Sequence, residues 1–158
     1  MKNIQNLQLR PATPDDVDPL TALSYRTIRV KYPEVIGTDM VEGYIASGAV
    51  PQYYTDRNAF TRVAMVDGEM IGACAVRDNA VDLMMVTLEH HRSGVGSALL
   101  HDAESILFAD HELISLESFR DNRQAVDFYT KHGWVEQVCF TDSDYGIAMV
   151  RMTKQRDG

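Results

Sequence analysis

Cysteine and long hydrophobic runs are scarce in this sequence. Only Cys74 and Cys139 occur among its 158 residues, each within an apolar stretch, and neither forms a CxxC pair. A disulfide framework and cysteine-based zinc or redox spacings are therefore excluded, and both thiols are predicted to be buried and free. No run of about 18 apolar residues is present, and the segment 1–10 lacks a basic region followed by an apolar run. We expect a cytoplasmic protein that does not associate with membranes.

Basic side chains are also few. The chain carries 15 Lys and Arg against 23 Asp and Glu, a formal net charge of −8. No segment concentrates positive charge as a nucleic-acid-binding face does, so no nucleic-acid partner is expected. The acidity either favours a cationic substrate, such as an amine, or serves solubility alone. His90 and His91 are adjacent, cannot easily face one ion together, and have no further ligand spacing, which predicts no metal site.

The abundant residues indicate one folded domain. Hydrophobic side chains make up 45% of the chain, enough for one core at this length, which predicts a single domain over residues 1–158. The apolar periodicity predicts an α/β fold with a mixed central sheet, about four helices and the order β-α-α-β-β-β-α-β-α-β-β. Asp67 and Gly68 predict a tight hairpin. Strands are expected at 7–10, 62–66, 70–76, 81–86, 113–118, 135–140 and 147–152, helices at 17–32, 39–47, 95–107 and 122–132, and a loop or broken helix at 48–59.

A glycine-containing loop, His91 to Gly96, lies between a predicted strand and an amphipathic helix. Backbone N–H groups in such a loop can converge on an anion, with the positive end of the helix dipole behind them. Arg92 can add a charge-assisted contact. The pattern is neither a dinucleotide fingerprint, since Leu99 stands where a third glycine is needed, nor a P-loop. Taken alone, a glycine turn that leads into a helix explains it equally well.

Two segments together carry a family resemblance. Val86–Leu100 resembles the cofactor-binding motif of GNAT acetyltransferases, and Asn122–Tyr129, followed by Gly133 and Trp134, resembles their second motif. The resemblance implies a GNAT-type acyl-CoA N-acyltransferase fold over nearly the whole chain. It also implies a V-shaped opening between the strand ending near Val86 and the strand 113–118, with acetyl-CoA as the cosubstrate bound there.

The resemblance assigns cofactor contacts residue by residue. Backbone groups at Met85 and Val86 are expected to pair with the pantetheine amides like an added strand, and the loop His91 to Gly96 is expected to hold the pyrophosphate. The sequence departs from the family at His91, usually Gln or Arg, and at Leu88, often Pro. The expected cofactor contacts are Met85, Val86, His91, Arg92, Ser93, Gly94, Val95, Gly96, Ser97, Asn122, Ala125 and Tyr129.

The implied reaction is direct attack of a primary amine on the acetyl thioester in a ternary complex. A phenol is well matched to a departing thiolate, so Tyr129 is the expected general acid. Glu117 matches the position of a catalytic glutamate in one branch of the family and is the expected base, with Asp82, His90 and water as alternatives. Tyr129 is otherwise an ordinary packed helix residue, and Glu117 is otherwise a carboxylate without a proton role.

The acceptor is expected to be a small amine, an amino acid or a peptide amine. Its pocket is predicted to involve four residues of the N-terminal helices. Three residues of the last hairpin either attract a cationic acceptor or simply form a solvated loop. These residues are Tyr25, Arg29, Tyr53 and Tyr54, and Asp142, Asp144 and Tyr145. A second hypothesis is a non-catalytic acyl-CoA-binding or interaction module on the same fold. A longer acyl donor and a homodimer both stay open.

Overall fold

The computed structural model describes residues 5–157, in which alternating apolar residues build one seven-stranded sheet. Its spatial order is β1-β2-β3-β4-β5-β7-β6, and only β4 and β5 are parallel neighbours. The predicted mixed sheet is therefore confirmed. The strands are β1 Leu7–Pro11, β2 Thr61–Val66, β3 Glu69–Arg77, β4 Ala80–Val86, β5 Leu113–Phe119, β6 Val135–Thr141 and β7 Ala148–Gln155.

The helices outnumber the expectation of about four. They are α1 Val17–Lys31, α2 Pro33–Ile36, α3 Thr38–Ala46, α4 Ala49–Asp56, α5 Val95–Phe108 and α6 Arg123–Lys131. The segment 48–59, predicted as a loop or broken helix, contains the continuous helix α4. Gly48 starts it with φ 79°, and Pro51 is tolerated because it falls in the first turn. Val50 and Tyr54, one turn apart, bury its inner face.

The sheet separates two hydrophobic cores. On one face, α5 and α6 pack over β3, β4, β5 and β7, with Leu99, Leu116 and Trp134 among the buried side chains. On the other face, α1, α3 and α4 bury a second cluster that includes Leu20 and Tyr54. Successive strand residues point to opposite faces, so β2, β3 and β4 each contribute side chains to both cores.

Strands β4 and β5 touch only at one end. Their register joins Ala80 to Ser115 and Val81 to Leu116, with no further pairs in the described chain. From Asp82 onwards the two strands separate, which produces the V-shaped opening that the resemblance implied. The opening lies between the two helical layers and leads to the loop before α5.

Three further expectations can be compared with the structure. Asp67 and Gly68 form the predicted hairpin turn, both with positive φ of 50° and 82°, as a type I′ turn requires. Cys74 is buried as expected, but the prediction for Cys139 is wrong, because it is exposed on the edge strand β6. Among residues 5–157, no helix combines the length and apolar character needed to span a bilayer.

Candidate active site

The loop between β4 and α5 presents a row of free backbone donors. Arg92 and Gly94 both adopt positive φ, 62° and 91°, and Gly94 is the N-cap of α5 without a side-chain cap. The backbone hydrogen bonds of the helix begin with Ala98 N–H, which donates to the Gly94 carbonyl at 3.0 Å. Within residues 5–157, no protein acceptor is bonded to the N–H groups from Arg92 to Ser97. Such a row at a helix start forms an anion-binding concavity.

The two glycines of this loop serve different purposes. A Cβ at Gly94 would meet nothing within 4 Å, so the space in front of it is open. A Cβ at Gly96 would lie 3.4 Å from Phe128 Cζ, so Gly96 allows α6 to pack closely against α5. Ser97, in the same turn, is joined to α6 through its Oγ, which lies 2.8 Å from His132 Nε2.

The β3–β4 ladder decides which backbone groups of β4 face the opening. Thr87 N–H donates to the Ile71 carbonyl at 2.9 Å, and Thr87 opposite Ile71 continues the register Val86–Gly72 and Met85–Ala73. Hydrogen-bonded and non-hydrogen-bonded pairs alternate in an antiparallel ladder, so Met85 bonds to Ala73. Met84 and Val86 therefore direct their N–H and C=O groups away from β3. The expectation that the Met85 backbone faces the opening is therefore wrong. Met84, which the sequence analysis did not name, takes its place beside Val86.

The side chain of Met85 instead turns into the core beneath α1. Its sulfur accepts a hydrogen bond from Ser24 Oγ at 3.6 Å, and Ser24 Oγ lies 2.6 Å from the Tyr54 hydroxyl. Burial raises the pKa of Tyr54 to about 12. Tyr54 is thus a buried support for β4 and does not line an open acceptor pocket as expected.

Tyr129 lies on α6 and packs among aromatic rings. Its ring centroid is 5.4 Å from that of Phe128 and 6.2 Å from that of Trp134. Burial raises the pKa of the Tyr129 phenol, and the hydroxyl is protonated at neutral pH, as an unperturbed tyrosine also is. Within residues 5–157 this hydroxyl has no hydrogen-bond partner and is not fully enclosed. The phenol is therefore a free proton donor at the α6 side of the sheet.

Glu117 lies on β5 and faces the opposite side from Leu116, which is in the core beneath α5 and α6. Its Oε2 accepts a hydrogen bond from Arg151 Nη2 at 2.8 Å, directly across the β5–β7 ladder. Both side chains are about half exposed, 46% and 49%. Tyr129 and Glu117 thus stand on opposite faces of the sheet beside the opening, and Arg151 holds one of the two carboxylate oxygens, Oε2.

Asn122 caps α6. Its Oδ1 accepts a long hydrogen bond from Ala125 N–H, 3.4 Å, which commits that oxygen and the Ala125 amide to the helix start. The Asn122 side-chain amide has no bonded acceptor within residues 5–157. The amide N–H groups of Asn122 are therefore the part of this cap that can reach a ligand.

The alternative bases are already engaged. Asp82 Oδ2 accepts hydrogen bonds from the Tyr53 hydroxyl at 2.7 Å and from Arg77 Nε at 3.4 Å. Burial, and then the hydrogen bond to Asp82, raise the pKa of Tyr53. His90 Nδ1 lies 2.8 Å from Thr87 Oγ1 and belongs to the loop itself.

Two aromatic rings meet on the α1 side of the sheet, at the end of β5. Tyr32, at the end of α1, stacks edge-on against Phe119 at the end of β5, with ring centroids 5.2 Å apart. Neither residue was predicted from the sequence, because their contact joins segments far apart in the chain. Tyr25 donates a weak hydrogen bond to the Ile45 carbonyl at 3.5 Å, and Arg29 pairs with Glu42 on the exposed helix surface.

The loop of the last hairpin is a compact turn. Asp142 Oδ1 accepts hydrogen bonds from the backbone N–H groups of Asp144 and Tyr145, both at 2.9 Å. Asp142 is therefore used for the turn, whereas Asp144 and Tyr145 are exposed.

The comparisons with known proteins agree with this geometry. The sequence pattern of the family described as acetyltransferase (GNAT) domain matches residues 26–156. That span covers most of the chain, and the protein belongs to the GNAT acetyltransferase family. No curated protein matches the chain at a significant level.

Several solved structures share the fold. A GCN5-related N-acetyltransferase from Rhodopseudomonas palustris superposes with a TM-score of 0.83 at 20% identity, covering 99% of both chains. The PaiA N-acetyltransferase from Thermoplasma acidophilum, solved with coenzyme A, gives 0.81 at 18% identity over 95% of this chain and 99% of that one. YncA from Salmonella typhimurium, solved with its cofactor acetyl-CoA, gives 0.72 at 14% identity over 98% and 96%.

Proposed function

We propose that this protein is an acetyl-CoA-dependent N-acetyltransferase, a single domain over residues 1–158, that acetylates a primary amine. The observation that carries the proposal is the row of free N–H groups from Arg92 to Ser97 beside the opening between β4 and β5. A diphosphate fits such donors at a helix start. PaiA and YncA, which have the same fold, contain coenzyme A and acetyl-CoA in their structures, and this supports the choice of ligand.

The cofactor arm has matching groups in the opening. Met84 and Val86 offer backbone N–H and C=O groups that face away from β3, as an added strand needs. The proposed pyrophosphate contacts come from the backbone between His91 and Ser97, with the Arg92 side chain in reach of solvent-facing phosphate oxygens. Asn122 contributes its side-chain amide, and Ala125 serves through the cap that orients it.

Tyr129 is proposed as the general acid. Its hydroxyl carries a proton at neutral pH, and burial raises the phenol pKa further. A thiolate, whose thiol has a solution pKa of about 8.5, is a weaker base than a phenolate, so the phenol must lie next to the sulfur and donate to it as negative charge develops there. The acceptor amine enters from the side of Tyr32 and Phe119, attacks the acetyl carbonyl and releases one proton. The sulfur receives the Tyr129 proton as its bond to the acetyl carbon breaks, and solvent then returns a proton to the phenolate.

The proton released by the amine goes to Glu117 or to a water bound beside it. Glu117 is on the acceptor side of β5, opposite Tyr129, which is the correct side for a base. Arg151 bonds Oε2 of this carboxylate, so the other oxygen, Oε1, takes the proton directly or through a bound water. The chain supplies positions for both groups without a metal ion in the proposed scheme.

The acceptor class is drawn from the shape and charge of this side. Aromatic rings at Tyr32 and Phe119 suit an amine on an apolar or flat carbon skeleton. The net charge of −8 favours the approach of a cation over an anion. A small amine, an amino acid and a peptide amine all offer an amino group on a carbon skeleton and are the proposed acceptors. The proposed donor is acetyl-CoA.

A second candidate is an acyl-CoA-binding module without catalysis. The observation that favours it is the ion pair between Glu117 and Arg151, which occupies the expected base. The two candidates share the cofactor site and differ only in turnover.

The test is acetyl transfer to a panel of small amines, amino acids and N-terminal peptides, measured by mass spectrometry and by release of the coenzyme A thiol. We expect one class to be acetylated in proportion to the thiol released. Propionyl-CoA and succinyl-CoA, run in parallel, test the donor. If acetyl-CoA binds but no member of the panel gains an acetyl group, the binding module replaces the enzyme.

A further inference from the structure

The side chain of His91 occupies a backbone acceptor inside the opening. Its Nε2 lies 2.9 Å from the Val86 carbonyl oxygen. A carbonyl can only accept, so Nε2 carries the hydrogen and donates it. Val86 is the residue whose carbonyl the ladder directs away from β3, towards the space between β4 and β5.

The imidazole therefore occupies the carbonyl oxygen that a ligand lying along β4 like an added strand would bond. Beyond Val81 the strand β5 no longer pairs with β4, so the outward groups of Met84 and Val86 are without a strand partner. Of these groups in the described chain, the Val86 carbonyl is the one held by a side chain. An amide N–H that joins β4 as an extra strand approaches this carbonyl from the same side.

We infer that the His91 side chain closes the pantetheine track, which we define as the outward backbone groups of Met84 and Val86. It does so by bonding the Val86 carbonyl, and it must release this carbonyl when the cofactor enters. This inference rests on the proposed function. His91 begins the pyrophosphate loop, so its release couples the loop to the occupation of the track. Only molecules in which the His91 ring is displaced can bind the cofactor arm. The apparent Kd therefore equals the intrinsic Kd divided by the fraction of such molecules.

The structure makes the expected size of the effect modest. One ordinary hydrogen bond corresponds to a factor of about 3 to 10 in an equilibrium. Removing the donor should therefore tighten the binding of a ligand that uses the Val86 carbonyl by about that factor.

The experiment uses S-acetylpantetheine, which fills the track but has no phosphate that a freed ring could contact. Its affinity is measured by competition against acetyl-CoA for the wild type, His91→Ala, His91→Leu and His91→Gln. Alanine and leucine cannot donate, so their affinity should rise about 3- to 10-fold. Glutamine retains an N–H donor and should stay within about twofold of the wild type.

His111→Ala, in the connection between the far end of α5 and β5, is the matched histidine control and should not change the affinity. Equal or weaker binding of S-acetylpantetheine by the alanine and leucine variants, including no detectable binding, overturns the role of His91. Failure of the wild-type protein to bind acetyl-CoA would instead overturn the proposed function. The two failures are therefore distinguishable.

Discussion

Replacement of Gly94 by aspartate should remove acetyl-CoA binding while leaving the fold intact. Gly94 is the N-cap of α5, with φ 91° and open space where a side chain would stand. Aspartate tolerates the left-handed region better than most residues and is a good N-cap. Its carboxylate would accept hydrogen bonds from the N–H groups that the pyrophosphate needs. It would also place a negative charge beside the pyrophosphate.

The magnitude follows from the distance. Two unit charges about 4 Å apart repel by about 4 kcal/mol at an effective dielectric constant of about 20. Such an energy corresponds to about three orders of magnitude in affinity, and screening at this exposed loop lowers it. We therefore expect a loss of about 100- to 1,000-fold, measured by calorimetric titration with acetyl-CoA.

Two variants separate charge from backbone strain. Gly94→Asn has the same shape and the same strain without the charge, and should lose less than about tenfold. Gly48→Asp places the same residue at the N-cap of α4, where φ is 79° and a Cβ also meets nothing within 4 Å. It should bind acetyl-CoA like the wild type. If folded Gly94→Asp binds as well as Gly94→Asn, the reasoning about an anion site at this helix start is refuted.

Three other substitutions test separate parts of the account. Tyr129→Phe should lower kcat at least about tenfold with little change in acetyl-CoA affinity, because only the donated proton is lost; an unchanged kcat removes Tyr129 from the mechanism. Glu117→Gln should lower kcat by a similar factor, and an unaffected rate would assign the amine proton to water alone. Asp16→Asn should lower the free energy of unfolding at pH 7 by about 1 to 3 kcal/mol, since Arg10 donates to both Asp16 carboxylate oxygens at 2.7 and 3.0 Å. The bond to Arg10 holds the pKa of Asp16 below its usual value, so this stabilisation is complete above about pH 4 and is lost as pH falls through the lowered pKa. Urea unfolding of Asp16→Asn and wild type is compared at pH 7 and at a pH below the lowered pKa of Asp16, with the exposed Asp15→Asn as control. The difference in free energy of unfolding should shrink in acid, and an equal difference at both pH values would contradict the role of the carboxylate.

The strand pattern and the glycine loop were predictable because they depend on local periodicity. Asp67 and Gly68 predicted their hairpin from the conformations that a two-residue turn demands. Helix α4 was the main omission. Its signal was weak because only Val50 and Tyr54 mark the buried face, and Pro51 is a helix breaker unless it falls in the first turn, as it does here.

The details of the site depend on register and long-range contacts, which local patterns do not contain. A shift of one residue exchanges the backbone groups of Met85 for those of Met84, and only the ladder resolves it. The bond of Glu117 to Arg151 joins residues that are 34 positions apart. The contact of His91 with Val86 depends on how the loop folds back over the strand.

The most direct test of the central claim is the change in backbone amide NMR shifts when acetyl-CoA is added to the protein. The largest changes are expected at the amides from Arg92 to Ser97 and at those of Met84 and Val86. The part of the groove on β6 and β7, at Gln137 and Gln155, should change little. Saturable changes confined to that groove, or no changes at all, would contradict an acetyl-CoA site at the start of α5.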